Sequence, residues 1–277
     1  LMSKSNKSGG KVLSLAVIRA NLGTSIKEYI SVITETIKEI AHSNVIAVII
    51  PALVNPLHDF LFGRRRYNSY RNHLNTILSK LNAISRKYGK IIILTPVLRR
   101  AGNKIYVTNT IIPPIGGPIY KGKTFTSINN LTNVGKDLEM INIEDINLCF
   151  VMLDDIEIPE VFRACVLKGG DAAVIVQLPT LTYREPSLTL SLSIVRAREN
   201  KLPVIGVGGY LEDGAQQPSF VIGRDGAVID STDSLQPDIF EVEIRESERR
   251  INITLARKYM KLIKELQASH VLSRYRG

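Results

Sequence analysis

The chain of 277 residues has no tryptophan, two cysteines and four histidines, and its hydrophobic runs reach only about six residues, as in Val45–Ile50. Runs this short fall well below the roughly 20 residues of a bilayer span, so no membrane-spanning helix is expected. The opening LMSKSNKSGG is polar and lacks an apolar core; it reads as a tail without signal peptide or anchor, with the cytoplasm as the expected location. Cys149 and Cys165 lie in apolar surroundings without CxxC spacing, so unpaired core thiols are expected, with neither a disulfide framework nor a zinc site. His42, His58, His73 and His270 are scattered over helix ends and loops, which supports neither a metal centre nor a His-based triad, and no cofactor is expected. Acids are also in deficit. Twenty-six Asp and Glu against 36 Lys and Arg leave a formal charge of +10, which attracts anionic partners and says nothing about fold. Abundant Ile, Lys and Arg point to a thermophile, and plentiful Asn argues the other way.

What is present is an alternation of strand-like and helical runs, the pattern of an α/β layer architecture. Val12–Ile18 reads as a strand. Ile26, Ile30, Ile33, Ile37 and Ile40 then recur as one helical face, with Ser25 and Glu28 placed as a capping box. Val45–Ile50 is a buried strand ending at Pro51. A helix follows from about Arg71 to Gly89, and Ile91–Leu94 is the next strand. Lys104–Thr124 reads as two strands joined by a Pro-Pro and Gly-Gly turn, and the polar stretch up to Asp145 as a surface loop. Strand and helix alternate again through Ala172–Gln177, Ser187–Lys201 and Val204–Val207; Asp225-Gly226 marks a hairpin, and Ile239–Ile244 a last strand. From Ile251 to Leu266 an apolar face opposes Arg257, Lys258, Lys261 and Lys264, a basic amphipathic helix.

Between Cys149 and Ala164 the sequence CFVMLDDIEIPEVFRA turns from an apolar strand into a helix opened by Pro159-Glu160, a geometry that often presents a nucleophile at its tip. Together with VIAVIIPALV, KIYVTNTIIPPIGGPIYKGKTF and the later RAREN, it resembles the nitrilase, or carbon-nitrogen hydrolase, superfamily over roughly Val12 to Ile244. The resemblance implies an α/β four-layer αββα sandwich that dimerises, and an amide- or nitrile-cleaving Glu-Lys-Cys site. It divides the chain into a polar tail over 1–10, a nitrilase-like domain over 11–245, and the basic helix and tail over 246–277.

Residue by residue, the implied chemistry is incomplete. The family's general base follows the Pro that ends the second strand, where this chain has Ala52. Lys123 before Thr124 fits the oxyanion-stabilising lysine, with Lys121 as a second candidate. The nucleophile stands seven residues before the Glu of Pro-Glu, where this chain has Leu153; Asp155 matches the family's Asp, and Glu157 replaces a common Arg. A leucine cannot attack a carbonyl carbon, and an alanine cannot carry a proton. Cys149 is four residues upstream and reads as a core thiol on the same strand face as Leu153. Asp154 and Asp155 face opposite sides of the strand and suit turn geometry and helix capping better than a shared site.

Function in such a chain is expected at another surface. FLFGRRRYNSYRNHL gathers Arg64, Arg65, Arg66 and Arg71 with Tyr67 and Tyr70, side chains that pair with phosphate and stack on unpaired bases. Three readings follow: a non-catalytic binding or assembly protein, homodimeric, for nucleic acid or a protein partner; a small-molecule sensor using Ala52, Lys123 and Leu153; and a C–N hydrolase with relocated catalytic residues.

Overall fold

The computed structural model describes residues 11–63, 66–128, 131–181, 185–246 and residue 261. By internal contacts the chain divides into two compact units, Leu1–Glu246 and Ser247–Gly277. The basic helix expected from Ile251 to Leu266 lies, apart from Lys261, outside the described residues. Among the described residues no helix is long and apolar enough to cross a membrane.

The chain runs β1 (Val12–Arg19), α1 (Ile26–Glu39), β2 (Ala47–Pro51), α2 (Val54–Leu61), α3 (Tyr67–Tyr88), β3 (Ile91–Ala101), β4 (Lys104–Ile112) and β5 (Ile119–Lys121). It continues with β6 (Met140–Ile143), β7 (Ile146–Met152), a 3₁₀ turn (Leu153–Glu157), α4 (Pro159–Leu167), β8 (Ala172–Val176) and α5 (Pro186–Asn200). The last elements are β9 (Val204–Val207), β10 (Gly209–Tyr210), β11 (Gln216–Gln217), β12 (Ser219–Ile222), β13 (Val228–Thr232) and β14 (Asp238–Arg245). Two six-stranded sheets result, ordered β14-β1-β2-β3-β4-β5 and β13-β12-β9-β8-β7-β6. The parallel pairs β1/β2, β2/β3, β7/β8 and β8/β9 sit at the sheet centres, as helix-connected strands must.

This is the four-layer α/β sandwich. One apolar cluster covers α1, α3, the first sheet and the facing side of the second; another lies between the second sheet and α4 and α5. Strand β7 shows how one segment serves both. Leu148, Phe150 and Met152 belong to the inter-sheet cluster, while Cys149 and Val151 belong to the cluster under α4, the period of two that a strand buried on both faces requires. The capping box at α1 forms as its sequence dictates: the Glu28 amide donates to Ser25 Oγ, and the Ser25 amide to the Glu28 carboxylate.

Several elements differ from the sequence expectation. The stretch taken as a loop contains β6, joined to β7 by Glu144 and Asp145 at φ 49° and 65°. This is a tight left-handed turn that normally announces itself with Gly or Asn, and here it has neither. Helix α2 was not anticipated, and α3 starts at Tyr67 rather than Arg71, so much of the basic stretch is helical. The cysteines are not free thiols: Cys149 and Cys165 form a disulfide, with Cα atoms 6.0 Å apart, and no free cysteine remains. The strand alternation turns Cys149 toward α4, where Cys165 lies on the helix's buried face, and Gly170 leaves the space the sulfurs occupy.

Candidate functional site

The turn after β7 keeps its strained backbone. Leu153 has φ 55°, a left-handed conformation that costs a non-glycine residue about 1–2 kcal/mol. Continued extension would send residue 153 toward α4 with Cys149 and Val151; the left-handed turn instead places Leu153, 1% exposed, in the inter-sheet cluster. The expectation that Cys149 and Leu153 share a face is therefore wrong. Gln177 Nε2 donates to the Leu153 carbonyl at 2.7 Å and holds the turn. Asp155 is buried and accepts from the Phe125 amide, the Thr126 amide and Thr126 Oγ1 at 2.8–2.9 Å, which ties the turn to the segment after Lys123. Burial pushes its carboxyl up to about 6, with those hydrogen bonds pulling the other way.

Ala52 is buried at the end of β2, with its amide donating to the Thr95 carbonyl at 2.8 Å, and it belongs to the same apolar cluster as Leu153. The Lys123 ammonium is elsewhere engaged, 3.6 Å from Glu139 Oε1 and 5.2 Å from the Tyr106 ring centroid, on a side chain more than a third exposed. Just before it, Gly122 sits at φ 74° against Asn109, where a Cβ would lie 2.8 Å from Asn109 Nδ2. Asn109 also accepts from Thr95 Oγ1 at 2.6 Å and donates to the Lys121 carbonyl, while the Lys121 side chain is exposed. The structure thus brings Ala52 and Leu153 into one apolar cluster, whereas the Lys123 ammonium is held by Glu139. Among the described residues no group of three His, Cys, Asp or Glu gathers to hold a metal ion.

The basic stretch is built around β3. That strand outruns β2, whose pairing with it ends at Pro51 opposite Thr95, so its later amides lack a strand partner on that side. Two tyrosines of α3 supply the acceptors: Leu98 N donates to Tyr70 Oη and Arg100 N to Tyr67 Oη, both at 2.8 Å. Tyr70 is consequently buried, its phenol pKa pushed up by desolvation, and it is a core residue rather than a stacking surface, contrary to expectation. Tyr67 is half-buried. Arg100 lies over its ring at 4.8 Å, and Arg99 over Tyr120 at 4.6 Å. Arg66, Arg71, Arg99, Arg100 and Lys104 are exposed, and among the described residues none has a carboxylate within 4 Å. Arg64 and Arg65 lie outside the described residues. Phe60, Arg66, Tyr67, Asn68 and Arg100 line a surface cavity of about 330 Å³. Sequence reasoning missed Phe60 and Asn68 there. Only the position of Arg99-Arg100, before a tight Gly102-Asn103 turn, hinted that β3 returns to this face.

No protein-family model matches the chain, and no curated protein sequence does. Solved structures share its fold. An amidase from Nesterenkonia sp. AN1, as a double mutant of a glutamate and a cysteine in complex with acrylamide, superposes with a TM-score of 0.69 at 14% identity, covering 91% of this chain and 98% of the amidase. A glutamate-to-glutamine mutant of that amidase, which is described as belonging to the nitrilase superfamily, shows covalent addition of the acetamide moiety of fluoroacetamide at the active-site cysteine. A carbon-nitrogen hydrolase from Helicobacter pylori G27 gives 0.68 at 16% identity, covering 93% of this chain and 99% of that one. The chain therefore has the nitrilase-like fold over nearly its whole length.

Proposed function

We propose that the chain is a nitrilase-superfamily protein without Glu-Lys-Cys chemistry, acting as a homodimeric binding protein for an anionic macromolecule, with nucleic acid as the favoured ligand. The observation that carries the first half is Leu153: at the tip of the turn stands a buried hydrocarbon, in the same apolar cluster as Ala52. A covalent mechanism needs a nucleophile that attacks and later leaves. General acid-base help, typically worth about 10² to 10⁴ in rate, needs a titrating group where Ala52 stands. A cysteine relocated from elsewhere is disfavoured as well, since both cysteines are buried in one disulfide.

The second half is supported by the exposed arginines around Tyr67 and Tyr120, a composition suited to phosphate and to unpaired bases. Dimerisation is supported by Leu188 and Val195, large apolar side chains exposed on α5. A cytoplasmic setting has to accommodate the disulfide, and intracellular disulfides persist chiefly in hyperthermophiles.

Two measurements test the proposal. Purified protein offered simple amides and nitriles hydrolyses them no faster than buffer; turnover that disappears in Lys123→Ala overturns the non-catalytic reading. Nucleic-acid affinity falls with salt, and replacing Arg66, Arg99 and Arg100 by Ser flattens the log-log slope by about 2 for a single strand. An unchanged slope removes the basic face from the proposal.

A further inference from the structure

The geometry points to the cavity between Phe60 and Tyr67 as a seat for one unpaired nucleotide of a single-stranded nucleic acid. This assignment rests on the anionic-ligand reading above and narrows it. Size is the first argument. At about 330 Å³ the cavity lies at the lower limit of small-ligand pockets, which begin near 300 Å³, so it takes one base with part of its sugar-phosphate and no stacked neighbour. A duplex keeps its bases paired inside and has nothing to insert.

The walls are the second argument. Phe60 and Tyr67 meet edge to face, with centroids 5.9 Å apart and planes at 79°, so the edge of one ring rests on the face of the other and a base meets only the ring surface left uncovered. Arg100 adds a guanidinium against the Tyr67 ring. Nucleobases stack on aromatic rings and on guanidinium planes alike. The rim supplies the remaining chemistry. Arg66 lines the cavity and Arg71 follows one helical turn beyond Tyr67; both are exposed and positioned for a backbone phosphate. Asn68 lines the cavity with an exposed amide, which carries both a donor and an acceptor for a base edge.

Preorganisation is the third argument. Tyr67 is fixed by the hydrogen bond its hydroxyl accepts from Arg100 N and by contact with the Tyr70 ring at 6.1 Å. A ring held in place before binding loses little freedom when a base stacks on it.

The test is fluorescence anisotropy on the full chain with a labelled oligo(rU) of about ten nucleotides, a duplex of the same length and AMP as competitor. The expected result is tighter binding of the single strand than of the duplex, an affinity about tenfold lower in Tyr67→Leu, and a smaller loss in Tyr67→Phe, which keeps the ring but gives up the hydroxyl bond that holds it. Thermal melts confirm that each variant folds. Competition by micromolar AMP supports the site with a free nucleotide as the ligand; competition by oligonucleotide alone supports it with a nucleic-acid strand. Equal binding of both nucleic acids, salt-sensitive and untouched by Tyr67→Leu, overturns the cavity assignment and leaves the basic-face reading standing. No binding of any probe at low salt overturns both.

Discussion

Asp155 offers the most searching test of how the turn is held. Its carboxyl is buried, and its pKa rises from 3.8 to about 6 because desolvation outweighs the hydrogen bonds from Phe125 and Thr126. A carboxyl that binds its proton more tightly when folded stabilises the fold at low pH. Between pH 4 and pH 6 the folded chain holds the proton that the unfolded chain has released, so stability falls as pH rises and levels off above the folded pKa. A rise of about two units corresponds to about 3 kcal/mol. Asp155→Asn keeps an acceptor for the two amides and cannot ionise. Urea denaturation of both proteins followed by circular dichroism at intervals from pH 4 to pH 7 should show the variant gaining on the wild type by about 2 kcal/mol across that range, the rest of the effect lying below pH 4. A constant difference would mean that Asp155 does not titrate there. A difference of the opposite sign would mean that the hydrogen bonds win over burial and hold the carboxylate ionised, and the reasoning would be refuted.

Reducing the Cys149–Cys165 bridge, which spans 16 positions, or replacing both residues by Ala should cost about 3 kcal/mol, seen as a lower melting temperature; identical melts with and without reductant would mean the thiols are unpaired in solution. Gly170→Ala places a Cβ 2.3 Å from Cys165 Sγ, so thiol titration of the unfolded variant should find free sulfhydryls where the wild type has none. Leu153→Ala removes a 1% exposed side chain from the inter-sheet cluster and should cost about 2–5 kcal/mol in denaturant unfolding. Tyr70→Phe strands the Leu98 amide in the interior and should cost about 1–3 kcal/mol, whereas Tyr67→Phe, nearer the surface, should cost less.

The layer architecture was legible because strands buried on both faces and helices buried on one leave different periods, and β1, α1, β2, β8 and β9 all carry theirs cleanly. The β6–β7 hairpin was not, because neither of its two left-handed residues is Gly or Asn and the first, Glu144, carries no turn signal. The disulfide was hidden for a different reason. Spacing of 16 residues across a strand, a turn and a helix fixes no distance, and only the face on which each sulfur emerges decides whether they meet. Likewise the arginines of the basic stretch were visible in sequence, but the roles of its tyrosines were not. Tyr67 and Tyr70 are three positions apart on one helix and both accept amides where β3 outruns β2, yet Tyr70 is buried in doing so while Tyr67, nearer the strand's end, also lines a surface cavity.

The left-handed residue at position 153 bears on how strain should be read in this fold. Backbone strain at a turn tip is ordinarily grounds for suspecting chemistry, because a costly conformation persists only when something over-determines it. Here the determinants are identifiable and structural: the Gln177 bond to the Leu153 carbonyl, the Asp155 bonds to Phe125 and Thr126, and the start of α4 at Pro159. The turn also does something alternation cannot, moving residue 153 from the helix-facing side of β7 to the space between the sheets. A reactive group at that position would be delivered inward; a leucine delivered inward becomes core. The conformation therefore belongs to the strand-to-helix connection itself, and the side chain it carries decides whether the connection performs chemistry or packing.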